Sequence, residues 1–136
     1  MELNKDCIRD VLLQCEKQLE MTDDGVMEPL NLEVLKKSLH NYTDATIKYT
    51  VKHLGEAGLL DARIDNAMGI TVLDFYIFDI TYSGHELLNN IKSNDNWNKI
   101  KNIASKIGTS SLNGLSKIAI SIITSQINGL IDGGNL

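Results

Sequence analysis

Between Asn31 and Ile80, two short amphipathic helical segments stand a turn apart and lead into two runs of β-branched and aromatic residues. That succession of a helical and then an alternating pattern constrains the fold more than any single motif does. Asn31 is an N-cap for a helix reaching His40, whose Leu32, Leu35 and Leu39 recur at i, i+3 and i+7. Thr43 caps the next helix, Asp44 sits near its positive end, Ile47, Val51 and Leu54 form its buried side, and Gly58 ends it. Leu59 to Asp65 and Ile70 to Ile80 bracket Asn66-Ala67-Met68-Gly69, which predicts a β-hairpin.

Upstream, Ile8, Val11, Leu12, Cys15 and Leu19 share one face of a helix over Asn4 to Glu20, and the only proline, Pro29, closes a helix-breaking stretch that begins at Met21. Downstream, Thr81 caps a helix that turns Leu87, Leu88 and Ile91 to the core. A helix, a helix-turn-helix and a hairpin in that order make a winged helix. The expected fold is therefore α+β and mainly helical, a winged helix-turn-helix core over residues 1–93 followed by two C-terminal helices over 94–136.

Composition changes at that boundary. Residues 1–93 carry nine basic and sixteen acidic side chains, whereas 94–136 carry four lysines and two aspartates. The whole chain of 136 residues has a formal charge of -5, so no general basic surface exists to hold nucleic acid by counterion release. In the second part Trp97, Ile100, Ile103, Ala104 and Ile107 have helical spacing up to Gly108. Thr109 or Ser110 then caps a last helix through Ile131, and Asp132 to Leu136 are expected to be disordered. Leu112, Leu115, Ile118, Ala119, Ile122, Ile123 and Ile127 make an apolar stripe too wide to stay in water. With Trp97 they are the expected homodimer interface.

The charged start, Met1 to Asp10, has no apolar signal-like stretch, and the longest apolar-rich run, Ile118 to Ile123, is far shorter than the ~20 residues of a membrane span. A cytoplasmic protein without a membrane partner is expected. Cys7 and Cys15 lie eight residues apart on one helix, a rise of about 12 Å, too far for a disulfide. They read as buried thiols.

Little in the chain supports catalysis. His40, His53 and His85 fall on different elements without a metal-ligand spacing, and no nucleophile elbow or phosphate-cradling glycine loop occurs, so neither metal nor cofactor is expected. Asp61, Asp65, Asp74 and Asp79 on the hairpin read as solubilising charges that keep its edges unpaired. The stronger functional reading is double-stranded DNA in contact with the helix capped by Thr43, through Thr43, Ala45, Lys48, Tyr49, Lys52 and His53, with Arg63 on the hairpin. The four hairpin aspartates oppose a phosphate backbone nearby, which leaves a second reading: an adaptor or inhibitor that binds a host or phage protein and not DNA.

With Asp6-Cys7-Ile8-Arg9-Asp10, the Ile47-x-Tyr49-x-Val51-x-x-Leu54-x-x-Ala57-Gly58 helix and Ile80-Thr81-Tyr82-Ser83-Gly84-His85-Glu86 followed by Trp97, the chain resembles, over about its whole length, a family of uncharacterised phage and prophage proteins. The resemblance implies a winged-helix core, further helices and a phage origin. It implies no activity and no catalytic residues.

Overall fold

The computed structural model describes residues 1–133. They form six helices and a two-stranded antiparallel sheet, an α+β fold that is mostly helical: α1 (Lys5–Gln18), α2 (Leu32–Ser38), α3 (Asp44–Glu56), β1 (Leu60–Ala67), β2 (Thr71–Ile80), α4 (Tyr82–Ile91), α5 (Asn94–Ile107) and α6 (Leu112–Gly133). The chain divides into two compact units after Leu88, inside α4, a few residues before the boundary expected at 93/94.

In the first unit, Asn4 caps α1 by accepting a hydrogen bond from the Cys7 N–H at 2.9 Å. Cys7, Ile8, Val11, Leu12 and Cys15 are buried along that helix. After a small turn in which Gly25 takes a positive φ, Leu30 exchanges backbone hydrogen bonds with Ile77 at 2.9 and 2.8 Å. A single residue thereby extends the sheet on the β2 side, immediately before Asn31 caps α2. Leu35 and Leu39 of the α2 segment, Ile47, Val51 and Leu54 of α3, and Leu60, Phe75 and Ile77 of the hairpin complete the core. At about 1.5–3 kcal/mol for each fully buried large side chain, this set supplies the main drive for folding.

The hairpin pairs Leu60 with Ile80, Asp61 with Asp79, Arg63 with Tyr76, and Asp65 with Asp74, and its register shifts twice. Leu73 and Phe78 are the extra β2 residues, and both are exposed. Met68 and Gly69 have φ of 55° and 72° within the three-residue connection 68–70 between the paired Ala67 and Thr71, and the Ile70 N–H donates to the Ala67 carbonyl at 3.2 Å. Two of the four hairpin aspartates do more than solubilise, contrary to the expectation. Asp74 accepts from the Leu32 and Phe75 N–H groups at 3.0 and 2.7 Å, and Asp79 accepts from the Ile80 N–H at 2.8 Å.

Where the hairpin meets α4, the Thr81 hydroxyl accepts from the Gly84 N–H at 3.1 Å and donates to the Gly58 carbonyl. A Cβ on Gly84 would overlap the carbonyl oxygen of Leu59. The Thr81-Tyr82-Ser83-Gly84 sequence is thus a cap plus a close helix-to-strand approach that only glycine permits.

In the second unit, Ser93 caps α5 and Gly108 ends it in the left-handed conformation. Ser111, rather than Thr109 or Ser110, caps α6, its hydroxyl accepting from the Gly114 N–H at 2.9 Å, while Thr109 Oγ1 accepts from the Ser111 N–H. α5 and α6 form a hairpin held near the start of α5 by two amide bonds between Asn96 and Gln126, at 3.3 and 2.7 Å. The helix runs on through Asp132 and Gly133, which were expected to be disordered, because a glycine at 129 costs only about 1 kcal/mol and nothing else interrupts the turn. The remaining residues of that expected disordered tail, 134–136, lie outside the described residues. Among the described residues one helix, α6, is long and apolar enough by length and composition to cross a membrane. Counting only the contiguous run from Ile118 to Ile123 understates it, since its polar residues are interspersed rather than clustered.

Candidate nucleic-acid interface

α3 follows α2 after a short turn, and its cap is the predicted one: Thr43 Oγ1 accepts from the Thr46 N–H at 3.1 Å. With Ile47, Thr50, Val51 and Leu54 buried, the remaining faces of the helix are left accessible. Thr43 and Ala45 are exposed there, and Lys48, Tyr49, Lys52 and His53 are half-buried.

These side chains are already engaged with one another. Tyr49 and His53 meet edge to face with ring centroids 4.4 Å apart, and the Tyr49 hydroxyl donates to the Met1 carbonyl at 3.0 Å. Glu56 sits 3.9 Å from the Lys52 ammonium and 3.0 Å from His53 Nδ1. The carboxylate of Glu56 therefore offsets part of the positive charge that the helix presents. Sequence reading placed Glu56 on this face without that role, although its i+4 spacing from Lys52 was the available signal. Among the described residues Lys48 has no ion-pair partner. Arg63 is elsewhere engaged, its guanidinium 5.4 Å from the centre of the Tyr76 ring on the opposite strand.

Between α3 and β1 lies a groove of about 350 Å³ lined by Lys52, Gly55, Glu56, Ala62, Ile64 and Asn66. Sequence reading missed it. A Cβ on Gly55 would lie 3.8 Å from the Ala62 Cβ, an ordinary contact distance.

The expected dimer residues separate into two sets. Trp97, Leu115, Ile118 and Ala119 are buried within the chain and have little surface left to offer a second copy. Leu112, Ile122 and Ile123 are half-buried, and Ile127 is exposed.

The buried polar groups of α1 belong to the core. Burial pushes the Cys7 thiol up to about 11, a hydrogen bond to Thr50 offsets part of that, and Asp10 adds to it. Burial, with a smaller effect of Asp79, pushes the Cys15 thiol up to about 12. Tyr42 donates to Asp10 at 2.6 Å, and its hydroxyl is held well above the ordinary phenol range by burial and by that bond. Such thiols stay protonated and are poor nucleophiles. His40 and His85 are exposed, and no group of three metal-ligating side chains occurs among the described residues.

Residues 2–111, the stretch from α1 through α5, match the family described as "Hypothetical protein (DUF2513)", and the chain is a member of it. It is similar to an uncharacterized protein of Haemophilus influenzae (strain ATCC 51907 / DSM 11121 / KW20 / Rd), with 31% identity over 120 residues, covering 88% of this chain and 92% of the relative. No solved structure matches the chain.

Proposed function

We propose that the chain is a non-enzymatic DNA-binding regulatory factor of phage or prophage type, acting in the cytoplasm of a bacterial host. In this reading residues 1–88 work as a winged helix, α3 enters the major groove, Lys48 and Lys52 contact phosphate, and Tyr49 and His53 approach base edges. The observation that carries it is α3 itself: capped by Thr43, one short turn after α2, with both lysines on its accessible faces. A two-fold homodimer would offer two such helices to two half-sites.

Fluorescence anisotropy against fragments of the source genome tests the reading. Lys48→Ala and Lys52→Ala are each expected to weaken binding and to lower its salt slope by about one unit. No saturable binding at low salt, or binding indifferent to both changes, refutes it.

One observation favours the adaptor reading instead. The hairpin stacks like charges at Asp61 and Asp79 and again at Asp65 and Asp74, and its tip bears Met68 at 96% exposure beside an exposed Ile70. A hairpin of that character suits a basic-rimmed apolar pocket on another protein better than it suits phosphate.

A further inference from the structure

The β1 edge of the sheet is open. On the far side of β2, Leu30 exchanges backbone hydrogen bonds with Ile77, which turns the N–H and C=O of Ile77 away from β1. The Phe75 and Ile80 N–H groups donate to the carboxylates of Asp74 and Asp79 and likewise leave β1 alone. Ile80, Ile77 and Phe75 stand opposite Leu60, Ala62 and Ile64. In an antiparallel pair, residues that do not exchange hydrogen bonds point these groups outward on both strands. The Leu59 carbonyl, which accepts from the Thr81 N–H at 3.2 Å, sets the same alternation from the start of β1. The N–H and C=O groups of Ala62 and Ile64 therefore face away from β2, and among the described residues nothing in the chain bonds to them.

An open edge admits another strand unless a proline, a bulge, a covering element or charge prevents it. β1 has no proline, and both bulges fall on β2, at Leu73 and Phe78. Charge is what guards it. Asp61, Arg63 and Asp65 are exposed on one face of β1, and neither aspartate has an ion-pair partner among the described residues. Arg63 between them is held over the Tyr76 ring. On the other face Ala62, Ile64 and Asn66 line the groove of about 350 Å³ whose α3 wall is Lys52, Gly55 and Glu56.

We propose that this edge and groove take an extended segment of another protein as an antiparallel third strand, with Lys or Arg opposite Asp61 and Asp65 and small apolar residues opposite Ala62 and Ile64. The residues bonded to Ala62 and Ile64 turn their side chains into the groove, beside Gly55. Those next to them lie on the outer face, where two cations four positions apart, about 13 Å along the strand, each meet a carboxylate. The four aspartates of the hairpin against its one arginine select that charge. A second copy of β1 suits the edge less well, because it would set two such acidic hairpins side by side. The inference rests on the adaptor reading, to which it gives a surface, and DNA binding by α3 does not enter it.

The probe is the labelled peptide acetyl-Thr-Lys-Val-Thr-Val-Lys-Thr-amide, titrated with the full chain by fluorescence anisotropy at about 0.15 M salt. Saturable binding with a Kd below about 1 mM is expected. Methylating both valine nitrogens removes the N–H groups meant for the Ala62 and Ile64 carbonyls and should weaken binding about tenfold or more. Glutamate in place of both lysines, or Asp65→Lys in the chain, should do the same. In the saturated complex, amide hydrogen exchange followed by NMR should slow at Ala62 and Ile64. No saturable binding, binding indifferent to N-methylation, or unchanged exchange at both amides overturns the proposal and leaves the adaptor reading to the hairpin tip alone. Amides of Ala62 and Ile64 that already exchange slowly in the chain by itself, and faster on dilution, would assign the edge to a second copy and also overturn it. The peptide variants leave the chain untouched, so the test does not depend on the folding of Asp65→Lys.

Discussion

The carboxylate of Asp74, on β2, accepts a hydrogen bond from the backbone N–H of Leu32, the first residue of α2, at 3.0 Å and across 42 residues of sequence. Asn31 satisfies the Val34 N–H of the same helix end at 3.0 Å, so two side chains from distant parts of the chain share the work of capping one seven-residue helix. A helix that short has little stability of its own, and its position depends on such ties.

Asp74→Ala is therefore expected to destabilise the first unit by about 1–2 kcal/mol, as loss of a cap does elsewhere. Asp74→Asn keeps an acceptor and removes the like charge facing Asp65 across the sheet, so it should cost less than half as much. Urea midpoints of the two variants check the ordering. Equal losses would show that charge, and not acceptance, is what Leu32 requires.

The glycines at 84 and 129 should respond in opposite directions. Gly84→Ala drives a methyl group into the Leu59 carbonyl and should cost roughly 3 kcal/mol or prevent folding of the first unit. Gly129→Ala meets nothing within 4 Å and lies inside α6, so it should raise stability by up to about 1 kcal/mol. Thermal melts followed by far-ultraviolet circular dichroism distinguish the two signs.

Much of the first unit was legible because its signals are local. The caps at Asn31, Thr43 and Thr81, the stop at Gly58 and the turn at Met68-Gly69 all read from a few neighbouring residues. What the sequence concealed is long-range. The bridge from Leu30 to Ile77, the Asp74 cap on α2 and the engagement of Tyr49 with Met1 join residues 42 or more positions apart, and no periodicity encodes such pairs. The apolar residues of α6 were legible as a group, but a helical wheel does not tell which of two adjacent stripes a neighbour will cover. Leu115, Ile118 and Ala119 are covered, whereas Ile127 is not.

If α3 reads DNA, Glu56 is a brake on it. Glu56→Gln releases Lys52 and His53 from a carboxylate and should tighten DNA binding about threefold at low salt, with the advantage fading as salt rises. Anisotropy titrations at two ionic strengths check this. A weaker complex would mean that Glu56 orients Lys52 and His53 rather than competing with phosphate for them.

Alkaline pH should weaken the first unit before any charged surface group accounts for it. Both thiols have folded values raised above the ordinary one, to about 11 for Cys7 and about 12 for Cys15. Their stabilising contribution is therefore complete below the unfolded thiol pKa, near 9, and is lost as pH rises through the folded values. Stability should fall by on the order of 1 kcal/mol per pH unit per thiol over that window, with the Tyr42 hydroxyl adding to the loss above about pH 10. Cys7→Ala with Cys15→Ala should be less stable at neutral pH yet show a shallower alkaline decline. Chemical denaturation between pH 8 and about 11 measures the slopes.

The chromophores of the chain are partitioned. Its one tryptophan, Trp97, is buried on α5, while Tyr42, Tyr49, Tyr76 and Tyr82 all precede Leu88. Emission excited beyond the tyrosine absorption band thus reports only the helical hairpin, and tyrosine absorbance follows the first unit alone. Each half of the molecule carries its own optical label without any engineering, so a difference between the two unfolding curves would directly measure how far the halves melt as separate bodies.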